Sequence, residues 1–361
     1  MPYGYLDTHY IDFPANIDVN YIEGLRTRSG MDFPTLLRLV DQRLAAFNTA
    51  IDPWVASLIT ATTEAYIDTT GPSAFTITER SQYTAPRPQM ADGGAHMLPL
   101  RGWDVALGFT EDGLEAMTQS RILANIDSAL LGLRIKQRKE VINRLFSAAE
   151  VRISQGLATT SPGFAGSGTG DNVFSRTTYP DGAPLPGSYT HYYTKGAGTL
   201  AAALKAAIMR LRMWHAGPFD LVAPQTEIDL ITAINPGDPA DGFVSAGSAL
   251  VRGATSEAEA QVDPAMYLGV LFGDVRVHKP LTDFATTHIA VYKSYGNLVP
   301  QNPLAWRYDA LKGRNAALRY RSMYPLDNAI VKQDFGIGVS DRTAAVLIYD
   351  DSGSTYSWTN I

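Results

Sequence analysis

Apolar residues recur at helical spacing in three stretches of the chain. The second of these stretches runs from Thr118 to about Ala149 and the third from Thr199 to His215. The first begins at Asp32, a residue type suited to an N-cap, and repeats Leu36, Leu37, Val40, Leu44 and Phe47. This pattern predicts three helices, of which the second would be about 48 Å long at about 1.5 Å per residue. A shorter helical segment is predicted over residues 54–65, after Asp52-Pro53.

A long hairpin is predicted between the first two helices. Residues 74–83 alternate between apolar and polar side chains, and residues 97–109 form a returning strand-like run. Two prolines and two glycines between these runs predict a loose tip. Because a lone two-stranded hairpin is barely stable in water, this one needs support from another surface. We interpret it as an arm lying across another molecule, while folding back on its own domain is the alternative.

The second half of the chain mixes strands with helices and predicts an α+β module. Strand-like runs begin at Phe219, Tyr267, Asp274 and His288, and a polar loop is predicted from Asn235 to Asp263. Three closing strands are predicted over residues 318–324, 329–339 and 344–349. No internal repeat is visible.

Candidate contact residues lie on two segments that the sequence does not place in an obvious core. Residues 1–30 are irregular but rich in aromatic and aliphatic side chains, unlike a disordered tail, and predict an arm held on a surface. We therefore expect intersubunit contacts from this arm and from the hairpin, at Tyr10, Phe13, Arg80, Tyr83, Arg87 and Trp103. For the two hairpin arginines an equal alternative is that they keep the hairpin soluble and discourage edge pairing.

Composition narrows the class of protein. The 361 residues carry a net charge of −6, which argues against tight binding of nucleic acid through phosphate neutralisation. Charged residues make up only 18%, against about a quarter in ordinary globular proteins, so either small residues are simply abundant or much surface is buried against partners. There is no cysteine, and no signal segment or membrane span is predicted.

The sequence contains no motif that predicts a catalytic residue, a cofactor site or a metal site. Ser167 lies among glycines, but Ala165 stands where a nucleophile elbow needs glycine. The six histidines have no metal-ligand spacing, and Asp238 and Asp241 fit a solvated turn better than a calcium loop. The sequence does not exclude a pair of carboxylates for glycoside chemistry, because such pairs meet only in the folded chain.

The order of elements resembles the major capsid proteins of tailed phages that share the Hong Kong ninety-seven-type fold. The stretches that carry the resemblance are residues 108–148, similar to the loop return and spine helix, and residues 318–350, similar to the terminal strands. The resemblance implies an α+β fold with an N-terminal arm (1–31), N-terminal helices of the peripheral domain (32–70), an extended loop (71–109), the peripheral domain with the spine helix (110–198), an axial domain (199–316), and closing strands of the peripheral domain with a C-terminal tail (317–361).

The function implied by this resemblance is collective. Subunits would assemble into pentamers and hexamers of an icosahedral shell around double-stranded DNA, in the host cytoplasm, with scaffolding, portal and decoration proteins as partners. The family's type member cross-links its extended loop through a lysine, but no lysine lies between Ser73 and Thr110, so that bond is expected to be absent. An encapsulin-type compartment holding protein cargo, or a soluble two-domain enzyme, are the alternatives.

Overall fold

The computed structural model describes residues 11–12, 26–68, 95–108, 116–147, 151–152, 160–161, 192–195, 198–246, 267–279, 287–323 and 326–350. Its helices are α1 (Phe33–Thr49), α2 (Pro53–Leu58), α3 (Gln119–Phe146), α4 (Leu200–Trp214) and α5 (Gln225–Thr232). Its strands are β1 (Ile11–Asp12), β2 (Ile59–Thr62), β3 (Tyr66–Asp68), β4 (Ala95–Met97), β5 (Arg101–Gly108), β6 (Val151–Arg152), β7 (Thr160–Ser161), β8 (Tyr192–Thr194), β9 (Phe219–Val222), β10 (Phe243–Ser245), β11 (Tyr267–Leu271), β12 (Val275–His278), β13 (His288–Tyr292), β14 (Leu304–Tyr308), β15 (Ala317–Met323), β16 (Leu326–Val339) and β17 (Ala345–Tyr349).

The chain divides into two compact units, each made of separate stretches. The first takes the described residues within 1–52, 100–140 and 308–336, and the second those within 53–99, 141–307 and 337–361. The predicted domain boundaries remain a prediction. The last of the three predicted closing strands, β17, pairs with β13 in the second unit.

The first unit is a small sheet covered by two helices. Strand β16 pairs in antiparallel fashion with β15 on one side and β5 on the other, and β1 adds a short parallel edge to β15. Side chains of α1 and α3 close the core over this sheet, and its buried members include Leu36, Leu44, Ile126, Leu133 and Val331. Along β5, Trp103, Val105 and Leu107 pack against that core while the residues between them are exposed, which is the period of two expected of a half-buried strand.

The second unit is built on a seven-stranded sheet in the order β10-β11-β12-β9-β13-β17-β8. Four of its strands, β9, β12, β13 and β17, are buried along their whole length, so the sheet is covered on both faces. One face packs against α4 and α5 through alternate residues such as Leu221, Val277 and Val291. On the other face, His288 meets the ring of Phe146 and the Tyr292 hydroxyl lies 3.3 Å from Ser57 Oγ.

The three longer predicted helices are present, and two of them begin at a side-chain cap, of which Asp32 was predicted. The Asp32 carboxylate accepts the Thr35 N–H at 3.1 Å, and the Thr199 hydroxyl accepts the Ala202 N–H at 3.3 Å. Helix α3 has 28 residues and is therefore about 42 Å long, ending three residues before the predicted limit. The apolar positions that predict α1 are buried apart from the half-buried Phe47. The apolar residues at helical spacing in the other two helices are buried as well: Ile122, Ile126, Leu130, Leu133, Val141 and Leu145 in α3, and Leu200, Leu204, Ile208 and Leu211 in α4.

Several local predictions were wrong. Helix α2 ends at Leu58, and the residues expected to continue it form strand β2, which pairs in parallel with β14. The polar loop after Asn235 contains β10, and β14 was not predicted at all. Of the predicted hairpin, the structure describes the base, where β3 pairs with β4, and the returning run. The returning run is not one strand, because residues 98–100 separate β4 from β5. Residues 69–94 lie outside the described residues.

Candidate functional site

Trp103 is the one predicted contact residue that lies within the described part of the chain. Its indole N–H donates to the Phe335 carbonyl at 3.2 Å, and the two rings are 5.8 Å apart. The Lys136 ammonium sits 4.3 Å from the centre of the indole ring, in cation–π geometry. Trp103 is therefore held by its own unit and keeps part of its surface exposed. Its role between subunits remains a prediction, and Tyr10, Phe13, Arg80, Tyr83 and Arg87 lie outside the described residues.

Two arginines on α3, Arg134 and Arg138, make specific contacts with α1 and the residues that follow it. The Arg134 guanidinium donates to the carbonyls of Phe47 and Ala50 at the end of α1. Arg138 forms an ion pair with Asp52, whose side chain is buried. These contacts hold the carboxyl end of α1 against the middle of α3. The positive charges of the two arginines also interact favourably with the negative end of the α1 dipole.

A groove runs between α1 and α3 in the first unit. Each helix contributes residues at the spacing i, i+3, i+4, i+7, which places four side chains of each on the facing sides of a cavity of about 290 Å³. The lining residues are Arg43, Ala46, Phe47 and Ala50 from α1, and Asp127, Leu130, Leu131 and Arg134 from α3. The groove is therefore apolar in the middle and charged at both ends.

Two carboxyl groups and a lysine meet in the second unit. Glu227 on α5 is only 4% exposed and hydrogen-bonds to the carboxylate of Asp350, which lies 2.7 Å from the Lys195 ammonium. Burial, followed by the hydrogen bond and repulsion from Asp350, raises the pKa of Glu227 to about 7. Glu227 therefore lies beside the Asp350 side chain, which is flanked on its other side by a lysine whose own pKa is raised by Asp350.

A second buried cluster lies on the sheet of the second unit. The Asp220 carboxylate on β9 accepts from Arg276 at 2.7 Å and from His278 Nε2 at 2.8 Å, and all three side chains are buried. Because Asp220, Arg276 and His278 lie on paired parallel strands, this network fixes the register between β9 and β12. The Arg276 guanidinium balances the charge of the Asp220 carboxylate.

The described residues provide few groups for catalysis or metal binding. Within the ranges that the structure covers, no three metal-ligating side chains stand close enough together to hold an ion. Asp238 accepts the backbone N–H groups of Ala240 and Asp241, which is the solvated turn that the sequence favoured. Ser167 lies outside the described residues. None of the helices in the described part of the chain is long and apolar enough to cross a membrane.

The comparisons with known proteins give matches in structure alone. No protein-family model and no curated protein sequence matches the chain. A solved structure from Mycobacterium phage Patience is similar with a TM-score of 0.64 at 16% sequence identity, over 95% of this chain and 96% of that chain. This similarity, over nearly the whole of both chains, shows that the chain shares the fold of that phage protein, and its mixture of helices and sheets confirms the predicted α+β class.

Two further solved structures are similar at lower scores. The capsid of a native GTA particle has a TM-score of 0.45 and 15% identity, over 82% of this chain and 90% of that chain. The holo-SrpI encapsulin complex from Synechococcus elongatus has a TM-score of 0.46 and 13% identity, over 85% and 90% respectively. The finer division into arm, extended loop, spine helix and named domains stays a prediction.

Proposed function

We propose that this chain, which has a phage capsid fold, is the major capsid protein of a tailed bacteriophage. The observation that carries the proposal is the structural match to the phage protein over nearly the full length of both chains. In this role the protein is a structural component of the virion with no catalysis of its own.

The described architecture suits a building block for a shell. Each unit has a hydrophobic core of its own, so the subunit does not depend on neighbours for its basic stability. Strand β3 pairs with β4 at the base of the predicted hairpin, and we propose that the 26 residues between them, numbers 69–94, reach an adjacent subunit. Many individually weak contacts of this kind add up in a closed shell, so it needs neither disulfides nor metals.

We further propose that pentamers and hexamers of this subunit form an icosahedral shell enclosing double-stranded DNA. The net charge of −6 favours a container over a DNA-gripping protein, because a cationic surface would bind the phosphates and hinder release. Scaffolding, portal and decoration proteins are the expected partners, and assembly in the host cytoplasm is the expected location.

The experiment is sedimentation and negative-stain microscopy of the purified full-length chain, alone and with candidate scaffolding protein. Hollow shells or rings of subunits are the expected result. A compact monomer under all conditions would overturn the proposal and favour the two-domain enzyme. Particles isolated from infected or expressing cells are then analysed for contents, since an enclosed enzyme without DNA would select the encapsulin-type compartment.

A further inference from the structure

Lys293 is a half-buried lysine of the second unit whose ammonium forms no ion pair with any carboxylate that the structure describes. It follows β13 directly, and its backbone N–H donates to the Ala344 carbonyl at 2.7 Å, which fixes the residue in place. The ammonium donates to the Pro218 carbonyl at 3.2 Å and lies 5.4 Å from the centre of the Tyr295 ring. A neutral carbonyl and a ring compensate a partly buried positive charge less well than a carboxylate would.

The charged groups on the neighbouring strands do not favour an ammonium at this position. Asp220 on β9 attracts it, but that carboxylate already accepts from Arg276 and His278. Arg276 on β12 is buried and repels it. Burial, followed by this repulsion, lowers the pKa of the Lys293 ammonium, so a larger share of the reactive neutral amine is present near neutral pH than at an ordinary lysine.

Lys195, also half-buried in the second unit, has the opposite surroundings. Its ammonium lies 2.7 Å from the Asp350 carboxylate, which raises the pKa of this lysine. An acyl group on Lys195 would take the cation away from a buried carboxylate, whereas on Lys293 it would remove a charge that Arg276 repels. The resulting amide keeps one N–H, which is enough for the hydrogen bond to Pro218. The surroundings of Lys293 therefore tolerate acylation better than those of Lys195.

We propose that Lys293 is a modification site that accepts an acyl group from small activated donors of the acyl phosphate class. The lone pair of the neutral Nζ attacks the carbonyl carbon, a C–N bond forms, and the C–O bond to the phosphate breaks. The phosphate leaves with the electron pair of that bond, and Nζ releases one proton to water, which leaves an uncharged amide. This inference goes beyond the proposed function and requires no contact with another subunit.

The first measurement is trace acetylation of the dispersed full-length chain with isotopically labelled acetic anhydride at a series of pH values. Mass spectrometry after unfolding and complete acetylation gives the rate at each lysine, and division by the plateau rate at high pH removes differences in access. The midpoint for Lys293 should lie below the ordinary lysine value of about 10.4. Lys312 is the control and should lie above it, because its ion pair with Asp334, at 2.5 Å, raises its pKa.

The second measurement is incubation of the same protein with acetyl phosphate at neutral pH. Acetylated Lys293 should form, and Arg276→Gln should lower its rate of formation at least about twofold, because the repelling charge is gone while the amide still donates to Asp220. Arg43→Gln, which removes the same charge from an exposed ion pair in the first unit, is the control and should leave the rate unchanged.

Each of three results would overturn the inference. They are a midpoint for Lys293 at or above the ordinary lysine value, no acetylation of Lys293 by acetyl phosphate, and an unchanged rate in a folded Arg276→Gln chain. If that variant does not fold, the two measurements on the wild-type chain decide alone. Because both use dispersed subunits, their outcome does not depend on whether the chain forms shells.

Discussion

The carboxyl group of Glu227 hydrogen-bonds to the side chain of Asp350, which brings together two acidic side chains 123 positions apart inside the second unit. Lys195 stands on the other side of Asp350 and balances the remaining negative charge. While Glu227 keeps its proton it adds no charge to this cluster, and when it loses the proton a buried negative charge is added.

The stability of the subunit should therefore fall as the pH rises from about 4.5 to about 7. The pKa of Glu227 is raised in the folded state, so the folded chain binds the proton more tightly than the unfolded chain, and this contribution is lost as Glu227 ionises. The shift to about 7 corresponds to a loss of roughly 2–3 kcal/mol. Glu227→Gln should flatten this pH dependence in urea unfolding of dispersed subunits. Asp229→Asn, at an exposed site on the same helix, is the control and should keep the slope.

Arg138→Met should destabilise the first unit by about 2–3 kcal/mol. The substitution removes the guanidinium that faces the buried carboxylate of Asp52, and weakening the pairing of a buried charge is costly. Arg43→Gln removes the exposed ion pair with Asp127 and should cost less than about 1 kcal/mol. Denaturant midpoints of the two variants provide the comparison. Equal losses would mean that the burial of Asp52 does not govern the energy of its pair.

Two glycines should respond in opposite directions to alanine. Gly132 lies on an exposed turn of α3 where an added Cβ meets no atom within 4 Å, so Gly132→Ala should stabilise the helix by about 0.5–1 kcal/mol. At Gly269 on β11 the Cβ would lie 2.2 Å from the Val244 carbonyl oxygen of the paired strand. Gly269→Ala should therefore destabilise the second unit by about 1–3 kcal/mol or more. Thermal unfolding of both variants checks the signs, and a neutral Gly269→Ala would contradict the close approach of β10 and β11.

Deletion of residues 84–94 should leave a folded subunit that no longer forms stable shells. The base of the hairpin, β3 with β4, remains intact in this variant, so the loss would fall on contacts with other subunits. Circular dichroism reports the fold and negative-stain microscopy reports the particles. Normal shells from the deletion variant would show that residues 84–94 make no contact that assembly needs.

Mature particles should dissolve to single chains on a denaturing gel. No lysine lies between Ser73 and Thr110, so the extended loop lacks the amine for an isopeptide bond. A ladder of covalent oligomers would show that another amine, outside this loop, does the cross-linking.

The helices could be predicted because their evidence is local. In α1, α3 and α4 the apolar residues repeat every three or four positions over at least four turns, and two of the three have an N-cap residue at the predicted position. Strands β2 and β10 escaped prediction because each has only three or four residues and finds its partner elsewhere in the chain. For β2 the partner is β14, more than 240 residues later, and tertiary pairing overrode the helical signal after Pro53.

The candidate sites were harder to predict than the fold. Glu227 and Asp229 stand two residues apart on α5 and look alike in the sequence, yet one is buried and the other is exposed. Only the packing of α5 on the sheet separates them. The groove likewise depends on two helices that the sequence shows separately, although the exposed apolar pair at Leu131 and Ile135 was a signal that could have been noticed.

The contacts of Asp220 with Arg276 and His278 allow one alignment of β9 with β12 and penalise the neighbouring ones. A slip of one residue would turn the buried polar side chains of one strand toward the apolar face under α4 and α5 and separate the Asp220 carboxylate from its guanidinium. Charges in the middle of an apolar sheet thus act against misaligned pairing, which hydrophobic contacts alone would tolerate.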